Sequence, residues 1–134
     1  MRIAVLALAA LVAAGCMGRG ESSGGGMGAG GETSLDISVS LRDKEAPTKE
    51  WTLRCPDGGT LPSPEQACER LDQLDDPFAP VPKDVACTQV YGGPQIATVT
   101  GTFRGEPVDA RFSRTDGCEI ERWDRVAFLF GTTT

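Results

Sequence analysis

The sequence contains no histidine. That absence excludes a Ser-His or Cys-His nucleophile pair and any His-ligated metal site. Lysine is scarce: Lys44, Lys49 and Lys83 stand against ten arginines, and no basic cluster offers a nucleic acid an electrostatic footprint. Apolar runs are short. The longest, Ile3 to Ala14, falls below the roughly 20 residues that a membrane-spanning helix needs. Asp and Glu are plentiful but scattered, and no pair is singled out for acid–base chemistry; they read as a solvated surface. Neither an enzyme, nor a metal site, nor a cofactor is expected. What remains is one small acidic domain of 134 residues and formal charge −6, or about −7 once the segment carrying Arg2 is removed.

The start of the chain reads as an export signal. Met1-Arg2 is a short basic start, Ile3 to Ala14 has the length of a signal-peptide core, and Leu11-Val12-Ala13-Ala14-Gly15-Cys16 puts small residues before a cysteine. This end resembles the bacterial lipobox, with Ala13 where Leu is more usual. The expectation is a lipoprotein signal peptide over residues 1–15, lipid on Cys16, and an extracytoplasmic protein anchored to the outer face of the cell membrane. The alternative is ordinary cleavage and secretion, with Cys16 left as a spare thiol. Residues 16–32 read as a flexible linker: Met17 to Glu32 is rich in Gly and Ser, without apolar periodicity, and could reach roughly 50 Å. With Cys16 set aside, Cys55, Cys68, Cys87 and Cys118 form an even set in an exported chain, which predicts disulfides and allows three pairings.

Residues 33–131 have the pattern of a folded domain. Leu35, Ile37, Val39 and Leu41 alternate with Asp36, Ser38, Ser40 and Arg42, which predicts a strand with one buried face. Trp51, Leu53 and Cys55 alternate likewise. The charged stretch between the two runs contains Pro47 and makes a turn, so together they predict a hairpin with Trp51 in the core. Pro56-Asp57-Gly58-Gly59 reads as a turn. Ser63 as cap, Pro64 at the first helical position and Gln66 reaching back mark a helix whose Ala67, Cys68, Leu71 and Leu74 share a face. Asp75-Asp76-Pro77 ends it. Ala97, Val99 and Phe103 alternate with Thr98, Thr100 and Thr102 in a third strand, where Gly101 marks a close approach or a bulge. After the turn Arg104-Gly105-Glu106-Pro107, Val108, Ala110 and Phe112 alternate in a fourth. Asp116 and Glu119 form a capping pair for a second helix bearing Cys118, Ile120 and Trp123, and the apolar run Val126 to Phe130 predicts a last strand. The sum is an α+β domain, an antiparallel sheet of about five strands with two helices.

The segment Val85-Ala86-Cys87-Thr88-Gln89-Val90-Tyr91-Gly92-Gly93-Pro94 stands apart. It has extended propensity without strict alternation, a cysteine to tether its upstream end, and Gly-Gly-Pro turn chemistry downstream. An exposed, extended, braced loop looks like a protease substrate, or like an inhibitor if it is held rigidly enough.

Three blocks around this loop carry a family resemblance. They are Cys87-Thr88-Gln89-Val90-Tyr91-Gly92-Gly93, the stretch Ala97 to Gly105, and Phe112 to Ile120 followed by Arg122-Trp123-Asp124. They resemble the Streptomyces subtilisin inhibitor family, and the similarity runs from near Leu35 to Phe130. The resemblance selects Cys55–Cys68 and Cys87–Cys118 as the disulfides. It implies a serine protease inhibitor whose reactive bond joins Gln89 to Val90. Gln89 is then P1, the residue that enters the enzyme's main specificity pocket; Thr88 is P2, Cys87 P3 and Ala86 P4, with Val90 and Tyr91 on the leaving side. Gln89 departs from the Met, Lys or Arg usual there. Being uncharged, it suits a subtilisin-like partner with a broad pocket better than a trypsin-like one. The same resemblance allows a two-fold homodimer through an exposed sheet face, and modification of Gln89 or Gln95 by a transglutaminase. The competing reading is a lipid-anchored extracytoplasmic binding module that keeps the inhibitor fold without inhibiting.

Overall fold

Alternation sets the sheet. In the computed structural model, which describes residues 31–131, Leu35, Ile37 and Val39 of β1 (Ser34–Ser40) are buried while Asp36 stays exposed. The expectations for residues 1–15, for Cys16 and for most of the 16–32 linker lie outside the described residues. β1 pairs antiparallel with β2 (Lys49–Arg54), in a register that sets Leu35 opposite Leu53 and Ile37 opposite Trp51. The expected hairpin is there, and Trp51 packs half-buried on the core. β1 ends one residue before Leu41, which is 56% exposed rather than buried as its alternation predicts, because the pairing partner has already turned away.

The second hairpin is β4 (Gly93–Phe103) and β5 (Glu106–Arg114). Its two-residue loop has positive φ at both positions, 52° at Arg104 and 82° at Gly105, as the twist-compatible hairpin turn requires. Gly31 and Glu32, the end of the stretch read as linker, lie against this turn, where the Gly105 amide donates to the Glu32 carbonyl at 3.0 Å. Gly101 is the close approach foreseen for β4: φ is 127°, and a Cβ there would strike the Ser34 carbonyl.

The sheet order is β3-β2-β1-β4-β5, all antiparallel. The fifth strand is not the predicted one. Gly58–Gly59, read as part of a turn, forms β3 by pairing with Arg54 and Leu53 at the edge of β2. Val126 to Phe130, read as a strand, instead completes α2 (Gly117–Val126) and continues as a 3-10 turn over Ala127–Phe130. A run of five apolar residues has no period of its own to read. Val126, Leu129 and Phe130 are fully buried at i, i+3 and i+4, the spacing that a helix seats on a sheet, and Gly131 at φ 68° ends the turn.

Both helices lie on the apolar face of the sheet. α1 (Pro64–Asp72) buries Ala67, Cys68 and Leu71, the predicted face, and the disulfide Cys55–Cys68 staples it to the end of β2. Pro64 stands at its start as expected, but the Ser63 hydroxyl does not cap it. Ser63 sits in the left-handed region, φ 53°, which turns the hydroxyl away from the first-turn amides. α2 is capped as predicted on one side only. Asp116 accepts from the Glu119 amide at 3.0 Å, while the Glu119 carboxylate turns from the cap to Arg122 at 2.7 Å, a charged partner in place of a neutral amide. Aromatic rings close the core: Phe112 and Trp123 lie 5.4 and 4.7 Å from Phe130, centroid to centroid.

Candidate functional site

Between α1 and β4 the chain runs without regular structure, and α2 supplies the groups that hold it. Phe78 starts the crossing by setting its ring edge-on to Phe103 at 5.3 Å. The Ala79 carbonyl then accepts from Arg122 Nε at 2.9 Å. Arg122 also donates to the Arg111 carbonyl at 3.2 Å and stacks over Phe112 at 4.5 Å, so one half-buried guanidinium ties the incoming chain to β5 and to its own helix. Arg125 repeats the device one turn later by donating to the Asp75 carbonyl at 3.2 Å.

From Val85 to Tyr91 the chain stands in solvent. Val85, Val90 and Tyr91 are 48, 57 and 63% exposed, and Ala86, Thr88 and Gln89 are exposed as well; Cys87 alone is half-covered. Two anchors bracket the middle of this stretch. The upstream anchor is the start of α2. Cys87 is disulfide-bonded to Cys118, and the Thr88 carbonyl accepts from the Gly117 amide at 3.0 Å. The Thr88 side chain lies so close over Gly117 that a Cβ there would strike Thr88 Oγ1. The downstream anchor is Gly92. Its amide donates to the Arg114 carbonyl at 2.7 Å, and its carbonyl accepts from Arg114 Nε at 3.3 Å. Between the anchors, Gln89, Val90 and Tyr91 make no hydrogen bond among the described residues.

Every predicted loop residue thus falls in one exposed segment, and both predicted disulfides are formed. The two glutamines part company: Gln89 is exposed, whereas Gln95 is half-buried with its Oε1 unpartnered among the described residues and packed on Gly93. Cys87, Asp116 and Cys118 bring ligand-type atoms together, but the two sulfurs are bonded to each other and Asp116 is engaged as the helix cap, so the group has no thiolate to offer a cation.

The anchoring residues on the far side of the loop were not read from sequence as such. Arg114 and Arg122 look like surface charges, and nothing local distinguishes them from Arg111. The one signal was spacing: Glu119 and Arg122 are i and i+3 on a predicted helix, so a paired and partly buried guanidinium was in reach of the pattern.

Residues 32–115 match the sequence family described as Subtilisin inhibitor-like. The chain is 33% identical over 85 residues to subtilisin inhibitor-like protein 1 of Streptomyces cacaoi, an overlap of 59% of this chain and 76% of that protein. It is 37% identical over 90 residues to subtilisin inhibitor-like protein 5 of Streptomyces fradiae, spanning 63% of this chain and 81% of the other. Among solved structures it is similar to Streptomyces caespitosus sermetstatin, crystallised in complex with Bacillus licheniformis subtilisin. The TM-score is 0.51 at 20% identity, over 76% of this chain and 100% of that one, a likeness of fold. With one exposed loop braced at both ends, two disulfides and this match, the chain belongs to the subtilisin inhibitor-like family, a family of protease inhibitors and not of enzymes.

Proposed function

We propose that this protein inhibits a subtilisin-like serine protease by presenting Gln89–Val90 as a bond that is attacked but not given up. The observation that carries this reading is the bracketed stretch itself. Gln89, Val90 and Tyr91 are exposed and unbonded, between a residue held at Gly117 and a residue held at Arg114. A protease cleft binds its substrate as an added strand, through main-chain hydrogen bonds, and this stretch has its main-chain groups free for them. Small Ala86 suits an apolar P4 subsite, and Gln89 suits a broad, uncharged P1 pocket.

The chemistry is ordinary acyl transfer with a captive leaving group. Attack of the protease serine on the Gln89 carbonyl makes an ester, and the serine proton passes to the Val90 nitrogen as the amide breaks. The Val90 amine remains close to the acyl carbon at high effective concentration, so its return, which re-forms the peptide bond and frees the serine, competes with water. A pre-ordered loop also has less conformational freedom to lose on docking. Titration of the purified domain against subtilisin and trypsin tests the proposal. Tight inhibition of subtilisin, about a hundredfold better than of trypsin, is expected from the uncharged Gln89; rapid degradation at several bonds would instead leave a binding module with the inhibitor fold. An address outside the cytoplasm, on a lipidated Cys16, is part of the same proposal. Cys16→Ser should then move the protein from the membrane fraction to the medium; equal partition of both forms would refute the anchor.

A further inference from the structure

We infer that Arg114 is the positioning residue that keeps the leaving side of the scissile bond in place. The inference rests on the reading of Gln89–Val90 as the reactive bond. The acyl side has a covalent tie two residues upstream, at Cys87. The leaving side has none. Val90 and Tyr91 are unbonded among the described residues, and their first fixed point is Gly92. A glycine brings no side chain, so it must be held from outside, and one residue takes both of its backbone groups. The Arg114 carbonyl accepts the Gly92 amide at 2.7 Å, and Arg114 Nε donates to the Gly92 carbonyl at 3.3 Å.

The clamp is itself clamped. Arg114 Nη1 pairs with Asp124 at 3.2 Å and the guanidinium lies over Trp123 at 5.6 Å, so α2 fixes the side chain that fixes the loop. Ile120 closes the remaining space: a Cβ on Gly92 would come within 2.9 Å of Ile120 Cδ1 and 3.1 Å of Arg114 Nε. The Val90 amine therefore swings on a two-residue arm from a seated glycine, and its effective concentration at the acyl carbon depends on how firmly that glycine sits. Lysine could not replace the arginine. The donor to Gly92 is Nε, inside the side chain, and the donor to Asp124 is Nη1 at its end; a single ammonium serves one or the other.

The measurement is the ratio of cut to intact inhibitor at equilibrium with catalytic subtilisin, alongside the inhibition constant, the Tm and the exchange rate of the Gly92 amide. Arg114→Met and Arg114→Lys should both raise the cut-to-intact ratio about tenfold, because the cut form gains the freedom that the clamp denies it. Asp124→Asn keeps the Nε bond and loosens its support, so it should give a smaller rise in a protein that folds normally. A role confined to overall stability would lower the Tm and leave the ratio unchanged, which would overturn the inference; so would a wild-type ratio in Arg114→Lys. A wild-type protein that does not inhibit would remove the loop reading and this inference with it. That failure is told apart by Gly92 exchange compared between wild type and Arg114→Met. The amide's own bond is to the Arg114 main-chain carbonyl and survives the substitution, so faster exchange in the variant reports loss of the side-chain clamp with no protease present.

Discussion

With Gln89 as the proposed P1 residue, an amide would stand where a trypsin-like pocket holds a carboxylate. An amide can hydrogen-bond there but leaves the buried charge unpaired, and this is the physical basis for discrimination at P1. Gln89→Lys supplies the missing cation on a side chain of similar reach. It should improve inhibition of trypsin by about a hundredfold, roughly 3 kcal/mol, while the Tm stays put because the side chain is exposed. An unchanged trypsin constant would mean that another bond occupies the cleft. One residue upstream the decisive contact is steric. Thr88 rests on the bare Cα of Gly117, and a methyl at that position would strike its hydroxyl. Gly117→Ala should therefore displace Thr88 and weaken inhibition by about 1–3 kcal/mol, the range of small overpacking changes. Alanine is a good helix residue, so α2 itself should not suffer. Adding Thr88→Ala removes the colliding atom, so the pair should be non-additive in a double-mutant cycle; strict additivity would show that the two residues do not press on each other.

At the scale of elements, α2 is both the lid of the core and the floor of the loop. Its inner face, Trp123 and Val126, is buried against the sheet; its first turn carries Gly117 and Cys118; its arginines reach the carbonyls of the irregular crossing. Arg122 joins these jobs. With its side chain only 13% exposed it donates to Ala79, Arg111 and Glu119, so Arg122→Met would leave two carbonyls and a carboxylate without their charged donor. The expected loss is about 2–3 kcal/mol. In a domain of this size that is a fall in Tm of roughly 10–20 °C, read by calorimetry; a fall of under about 3 °C would show no net contribution from these bonds. What could be read in advance follows from the same elements. β1, β2, β4 and β5 announce themselves because one face of each is buried and the other wet, which writes a period of two into the chain. β3 is two glycines at a sheet edge, held by backbone bonds that leave no side-chain trace. At the end of α2 the half-buried positions, Ala127 and Phe128, are as apolar as the buried Val126, Leu129 and Phe130, so the run has no polar residue to give the helical period away. The loop's ends were legible through Cys87 and the Gly92-Gly93-Pro94 turn. The side chains that grip it were not, because Arg114 and Arg122 lie 22 and 43 residues along the chain from the carbonyls they hold.

For the molecule as a whole, a cut at Gln89–Val90 would separate two chains that share every layer. β1, β2, β3 and α1 precede the bond; β4, β5 and α2 follow it. The two sides meet along the β1–β4 ladder, from Ser34 opposite Thr102 to Ser40 opposite Ile96, and in a common core where Leu35, Ile37 and Leu53 from one side join Val99, Phe112 and Phe130 from the other. The Cys87–Cys118 bridge crosses the cut as well, as a covalent link added to the ladder and the core. On the proposed reading its separate task is to pin the acyl side of the bond to the start of α2. Cys87→Ser with Cys118→Ser opens a closure of 31 residues, which costs about 3–4 kcal/mol in the chain-entropy model. The Cys55–Cys68 staple and the whole sheet remain, so the variant should still fold. With its acyl side free to drift, it should turn from inhibitor to substrate: incubated with subtilisin and followed by intact mass, it should be cut at Gln89–Val90 about tenfold faster than the native protein. Under native conditions the two pieces should still co-elute on gel filtration, because the ladder and the core cross the cut. Pieces that come apart would contradict a sheet-held molecule. A cutting rate equal to that of the native protein would assign the loop's persistence to Gly117 and Arg114 alone, and would leave the bridge a purely structural bond.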